Sequence, residues 1–155
     1  MKAVIGLGSN LGDRLATLRE AVRRIEALAR VTARSRVYET APVGGPEQGP
    51  FLNAAVLVTW EGEPVALMEA LLGIERSTGR VRDVRWGPRT IDLDVLWIEG
   101  LVVDEPTLRA PHPSLKERAF AVAPLLDVAP DARDPRTGEP YVVPAGEVAV
   151  YDEAL

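Results

Sequence analysis

The chain has 155 residues, 46% of them hydrophobic and 26% charged, which suits one compact domain, residues 1–155, able to bury a core. A formal net charge of −5 argues against a broad attraction to nucleic acid or anionic membrane, and zero cysteines excludes disulfides, thiolate metal sites and a cysteine nucleophile. No run approaches the ~18 apolar residues of a bilayer span, and the amino terminus lacks a secretory pattern, so cytoplasmic residence is expected.

In chain order, Lys2 to Gly8 reads as a first strand with Ala3, Ile5 and Leu7 on one face. Asp13 is a helix cap, and Leu15, Leu18, Val22 and Ile25 recur at helical spacing, predicting an amphipathic helix over 13–29. Val31 to Tyr38 alternates as a second strand. A Gly/Pro-rich loop, Thr40 to Pro50, follows; loops of that length are more often functional than connective. Phe51 to Trp60 makes a third strand, with Leu52, Ala54, Val56 and Val58 facing one way and Phe51, Asn53 and Ala55 the other. Pro64 opens a second helix whose buried stripe is Val65, Met68, Leu71 and Leu72, ending near Gly79.

Residues 76–89 then hold Arg76, Arg80, Arg82, Arg85 and Arg89 against Asp83 alone, a compact cationic stretch suited to a small anionic ligand. The next strand, over 90–98, places Asp92 and Asp94 on one face about 7 Å apart, with Ile91, Leu93, Val95 and Trp97 opposite. Paired carboxylates beside arginines suit divalent cations carrying a polyphosphate, although solvated aspartates on a half-exposed strand would give the same alternation. Beyond residue 100 the pattern predicts a short strand near 101–103, a turn at Pro111-His112-Pro113, a helix around 115–126, and a tail of turns and edge pieces.

The order β-α-β-β-α-β is the ferredoxin-like split pattern, an α+β fold with an antiparallel sheet, both helices on one face, and here a C-terminal extension. The helices cover the face of Ile91 and Leu93, so Asp92, Asp94, Phe51 and Asn53 gather over the open face. Gly6-Leu7-Gly8-Ser9-Asn10-Leu11-Gly12 has the wrong spacing and topology for a dinucleotide fingerprint and reads as a tight strand-to-helix turn. No GxxxxGK[ST] loop occurs, so phosphate must be held by side chains and metal. His112 is the single histidine, more often structural than a ligand, and Phe51 and Phe120, each taken alone, read as packing residues.

Together these blocks carry a resemblance. Ile5–Gly12, Tyr38-Glu39-Thr40-Ala41-Pro42, Phe51-Leu52-Asn53-Ala54-Ala55, Gly79-Arg80-Val81-Arg82, Arg85 to Asp94, Pro111-His112-Pro113 and Glu117-Arg118-Ala119-Phe120 resemble, in order and spacing, the 6-hydroxymethyl-7,8-dihydropterin pyrophosphokinases of folate biosynthesis. The resemblance implies the same ferredoxin-like fold and transfer of the β,γ-diphosphate of ATP to the pterin hydroxymethyl oxygen, releasing AMP. It implies two magnesium ions on Asp92 and Asp94, with Arg80 and Arg89 as the other catalytic positions. Arg82, His112, Arg118 and Glu75 fall on the ATP side. Glu75 would hold an arginine or a pterin-side group in place. Thr40, backbone around Val43, Phe51, Asn53 and Phe120 fall on the pterin side, the two rings sandwiching the heterocycle. The loops at 40–50 and 80–89 are expected to act as lids. No general base is evident, and Asp92 is the working acceptor for the alcohol proton.

ATP and the pterin are the expected partners, with no nucleic acid, membrane or obligate protein partner. Lys116 departs from the family pattern, and residues 127–155 carry nothing diagnostic. Two rivals share this topology: a two-metal nucleotidyl-transfer module, which would release pyrophosphate rather than AMP, and a non-catalytic ligand- or RNA-binding module, against which the −5 charge argues.

Overall fold

The structure, a computed structural model, describes residues 1–10, 12–40, 50–78, 91–146 and 148–155. Its elements are β1 (Lys2–Ser9), α1 (Arg14–Glu26), β2 (Arg30–Arg34), β3 (Tyr38–Thr40), β4 (Phe51–Thr59), α2 (Pro64–Thr78), β5 (Asp92–Ile98), β6 (Val103–Glu105), β7 (Leu108–Ala110), a 3₁₀ turn (Leu115–Glu117), α3 (Ala119–Val128) and β8 (Ala149–Val150). The main sheet runs β5-β1-β4-β3-β8, with β2 also on β4, and every described pairing in it is antiparallel. This is the split β-α-β-β-α-β arrangement expected from the alternating periods.

Local chemistry accounts for the helix boundaries. Asp13 caps α1, its Oδ1 accepting from the Ala16 N–H at 3.1 Å. Leu15, Leu18, Ala21, Val22 and Ile25 then form the buried stripe. In α2 the buried apolar positions are Leu67, Met68, Leu71 and Ile74; of the expected stripe Met68 and Leu71 are buried, while Val65 and Leu72 are half-buried at its margins. Both helices pack on the sheet face made by Ala3, Ile5 and Leu7 of β1, Leu52, Ala54, Val56 and Val58 of β4, and Leu93 and Val95 of β5. Each fully buried leucine or isoleucine there contributes roughly 1.5–3 kcal/mol through removal from water.

Three expectations are corrected. The single strand predicted over Val31–Tyr38 is two strands, interrupted at Ser35-Arg36-Val37. There the Ser35 hydroxyl takes a ladder position, accepting from the Ala55 N–H at 2.7 Å and donating to the Arg36 carbonyl at 2.6 Å. Second, Trp97 does not share a face with Leu93 and Val95. Val4 pairs with Trp97 while Ile5 pairs with Val95, so Leu96 is the extra residue of a bulge. That bulge turns Trp97 to the side of the sheet where Leu96 already lies and brings Ile98 to the helix side.

Third, the face opposite α1 and α2 is open over only part of its area. Val122, Leu125 and Val128 of α3 pack with Val4, Ala55, Leu96, Trp97 and Tyr141 into a second apolar cluster. The Trp97 indole N–H donates to the Arg133 carbonyl at 2.9 Å, fastening β5 to the segment after α3. What stays uncovered is the end of the sheet where β1, β4 and β5 carry Gly8, Asn53 and Asp92. Among the described residues no helix is long and apolar enough to cross a membrane.

Candidate active site

The uncovered end of the sheet is the floor of a cavity of about 880 Å³, within the size range of small-molecule sites. Its floor follows from strand register. Gly8 of β1 pairs with Asn53 of β4 on one side and Asp92 of β5 on the other, and Gly6 pairs with Ala55 and Asp94. Paired residues share a face, so a carboxamide and two carboxylates line up across a central strand that has no side chains of its own there. A Cβ at Gly8 would lie 3.1 Å from the Asn53 Oδ1, and one at Gly6 2.9 Å from Leu96 Cδ1. The glycines therefore belong to the strand and keep its surface low beside the carboxylates. Of the glycines in the stretch read as a strand-to-helix turn, only Gly12, at φ 62°, serves the turn.

One wall bears carboxylates and cations. Asp92 and Asp94 both line the cavity, as do His112 and Arg118. The His112 backbone N–H donates to the Leu96 carbonyl at 2.9 Å, which seats the residue beside β5 at the bulge. Its Nδ1 accepts from the Ser114 N–H at 3.1 Å, so the ring hydrogen sits on Nε2, which lies 3.3 Å from Asp94 Oδ2. Burial pushes the Asp94 carboxyl above the ordinary carboxylate range; His112, the Val95 N–H and Arg118 pull it back, and the charge on Asp92 adds to the rise. A cation arriving between the two carboxylates would relieve that cost.

The opposite wall is aromatic and amide-like. Phe51, Asn53 and Thr40 line it from β4 and β3, and Phe120 from the start of α3. The Asn53 Nδ2 donates to Thr40 Oγ1 at 3.4 Å, at the long end for such a bond. Arg118 spans the two walls: its guanidinium carbon lies 5.7 Å from the Phe120 ring centroid. From below, α2 contributes Met68, Leu72 and Glu75. Glu75 is only 8% exposed, and its Oε2 accepts from the Leu93 N–H at 2.7 Å, anchoring the strand between the two aspartates.

Of the residues singled out in the sequence, Thr40, Phe51, Asn53, Glu75, Asp92, Asp94, His112, Arg118 and Phe120 come together around this one cavity. Arg80, Arg82, Arg89 and Val43 lie outside the described residues, as do the lid expected at 80–89 and residues 41–49 of the lid expected at 40–50. Lys116 points away from phosphate duty, its Nζ 2.6 Å from Asp134 Oδ2. Sequence reading missed Gly6, Gly8 and Leu96, and also Ala145 and Gly146 from the C-terminal segment. For the glycines a signal existed: glycine at alternate positions inside a strand marks close approach.

Comparison with known proteins shows the family. Residues 4–130 match the family described as 7,8-dihydro-6-hydroxymethylpterin-pyrophosphokinase (HPPK). The chain belongs to the HPPK family. It is 49% identical over 132 residues to the 2-amino-4-hydroxy-6-hydroxymethyldihydropteridine pyrophosphokinase of Methylorubrum extorquens, covering 84% of each chain. To the enzyme of the same name from Bacillus subtilis it is 45% identical over 128 residues, 81% of this chain and 77% of that one. Among solved structures, wild-type HPPK-DHPS of Plasmodium falciparum superposes with a TM-score of 0.68 at 14% identity, over 90% of this chain. The chain spans 40% of that larger protein, and the likeness shows a shared HPPK fold.

Proposed function

We propose that the chain binds ATP with magnesium and 6-hydroxymethyl-7,8-dihydropterin in this cavity and moves the β,γ-diphosphate from one to the other. As a member of the HPPK family it is a pyrophosphokinase of folate biosynthesis. The pterin alcohol attacks the β-phosphorus, the bond from that phosphorus to the α-phosphate bridging oxygen breaks, and AMP leaves with the bridging oxygen. The alcohol proton passes to Asp92 or to solvent. The observation that carries the reading is the row Asn53–Gly8–Asp92, which sets a heterocycle-binding edge and a carboxylate side by side on one bare stretch of sheet.

The donor set fits magnesium: two carboxylates on one strand face, both lining the cavity. Asp92 and Asp94 would hold the ions, which supply charge neutralisation for the β- and γ-phosphates. Everything else is work for the chain itself. Arg118 and the Nε2–H of His112 face the nucleotide, and Arg80, Arg82 and Arg89 add guanidinium charge that stays fixed throughout the transfer. Glu75 holds β5 by the Leu93 N–H, which keeps the two carboxylates aligned. Phe51 and Phe120 stack on the pterin, while Asn53, Thr40 and backbone near Val43 bond its edge. Catalysis on this account is chiefly positioning and electrostatic.

A direct test uses the α,β-methylene analogue of ATP, whose α–β bridge resists cleavage. Calorimetric titration should show tight binding in magnesium that is lost in EDTA and lost in Asp94→Ala. Equal affinity with and without magnesium would remove Asp92 and Asp94 from the metal role. The nucleotidyl-transfer rival has no observation in its favour.

A further inference from the structure

We propose that Arg14, outside the sequence blocks that carry the family resemblance, is a positioning residue for the heterocycle side of the site. The inference rests on the assignment of Thr40 and Phe51 to the pterin. Arg14 is the first residue of α1, and side chains there tilt back toward the helix N-terminus, here toward the end of the sheet that bears the cavity. Its Nη1 donates to the Glu39 carboxylate at 3.0 Å and to the Pro50 carbonyl at 2.8 Å. Those two acceptors bracket the last rung of the β3–β4 ladder, in which Thr40 pairs with Phe51. One guanidinium thus acts as an additional rung where the backbone ladder stops, and it is partly sheltered, its side chain 22% exposed.

The C-terminal segment supports it from behind. Ala149 of β8 pairs with Glu39, and the Tyr151 N–H donates to the Val37 carbonyl at 2.8 Å. That places the Tyr151 ring under the guanidinium, 5.9 Å from its carbon. Further along, the Ala154 carbonyl accepts two bonds from Arg19 of α1, at 2.7 and 3.1 Å. Arg14 is therefore held on three sides, by β3, β4 and the tail. A strand end fixed in this way presents the Thr40 hydroxyl and the Phe51 ring at a set spacing, whereas an unbraced terminal rung frays. Among the described residues, none of these contacts involves Asp92, Asp94 or His112, so the effect should fall on one substrate.

The test is a set of initial-rate measurements on Arg14→Met, which keeps the aliphatic stem and removes both hydrogen bonds. Varying each substrate at saturating levels of the other, KM for the pterin should rise about tenfold, the scale expected for losing charge-assisted hydrogen bonds, with KM for ATP within about twofold. Arg14→Lys, able to reach one acceptor, should recover part of the loss. Glu39→Gln should show a smaller rise of the same kind, and carries the test if Arg14→Met does not fold. Phe51→Ala serves as the reference. If it raises the pterin KM and Arg14→Met does not, or if Arg14→Met raises both KM values alike, the positioning role is wrong. If Phe51→Ala is also without effect, the heterocycle assignment beneath the proposal is the part that fails.

Discussion

At the scale of single residues, the proposed function falls where stability is not served. Burial raises the Asp94 carboxyl, so in the metal-free protein the ionised group is a cost that the folded state bears. The sign is that of an acid whose folded value lies above its unfolded one: its contribution falls as pH rises. Asp94→Asn should accordingly leave the thermal midpoint unchanged or raised in EDTA while abolishing magnesium-dependent turnover. A lowered midpoint would mean that the carboxylate is part of the fold's support. Gly8→Ala tests the floor. Alanine in a strand regains about 0.5–1 kcal/mol of backbone entropy over glycine, but its Cβ would sit 3.1 Å from Asn53 Oδ1. The midpoint should change little and the pterin KM should rise several-fold; an unaltered KM would show that Asn53 is free to shift. Tyr141 gives a contrasting case away from the site. Its hydroxyl is buried without a hydrogen-bond partner among the described residues, and burial raises its pKa. Tyr141→Phe should be neutral or stabilising by up to about 1 kcal/mol in urea melts, since an unsatisfied buried hydroxyl is removed.

At the scale of elements, the 3₁₀ turn and the segment after α3 are joined by Lys116 and Asp134, and this junction supports His112 and Arg118 from outside the cavity. Burial pushes the Asp134 carboxyl up, but the Lys116 ammonium and the Arg136 N–H outweigh it and the net shift is downward. An acid depressed in the folded state stabilises fully above its unfolded value, near pH 4, and loses that contribution as pH falls through the folded one. Asp127 behaves alike: burial raises it, yet Arg36 and Tyr38 hold it below the ordinary range. Asp134→Asn should therefore be less stable than the parent at pH 7 and show a shallower loss between about pH 5 and pH 2. Parallel acid limbs in denaturant melts would mean that the pair contributes nothing. The element scale is also where sequence reading met its limit. The period of β4 and the Asp13 cap were legible because each depends on neighbours in sequence. The Leu96 bulge was not, since one extra residue turns Trp97 over and the decision rests on packing against α3.

For the whole molecule, the split topology gives a protein this small room for the two substrates proposed for it. Helices α1 and α2 close one face, α3 and its cluster close part of the other, and the glycine-bearing end of the sheet lines the cavity. That Asp92, Asp94, Phe51 and Asn53 share a face was legible from strand alternation, whereas His112 and Phe120 were brought to the cavity by the family resemblance alone. The C-terminal contribution was not legible, because Ala145 and Gly146 reach the cavity only through the path of the tail, and short polar segments leave no periodic trace. The central claim is that this assembly moves a diphosphate from ATP to a pterin alcohol. Incubation with magnesium, ATP and 6-hydroxymethyl-7,8-dihydropterin, followed by anion-exchange resolution of all nucleotides and phosphates, tests it most directly. AMP and the pterin diphosphate should form one for one, with AMP absent when the pterin is omitted. ADP or free pyrophosphate as the main product, or AMP released without the pterin, would contradict the account.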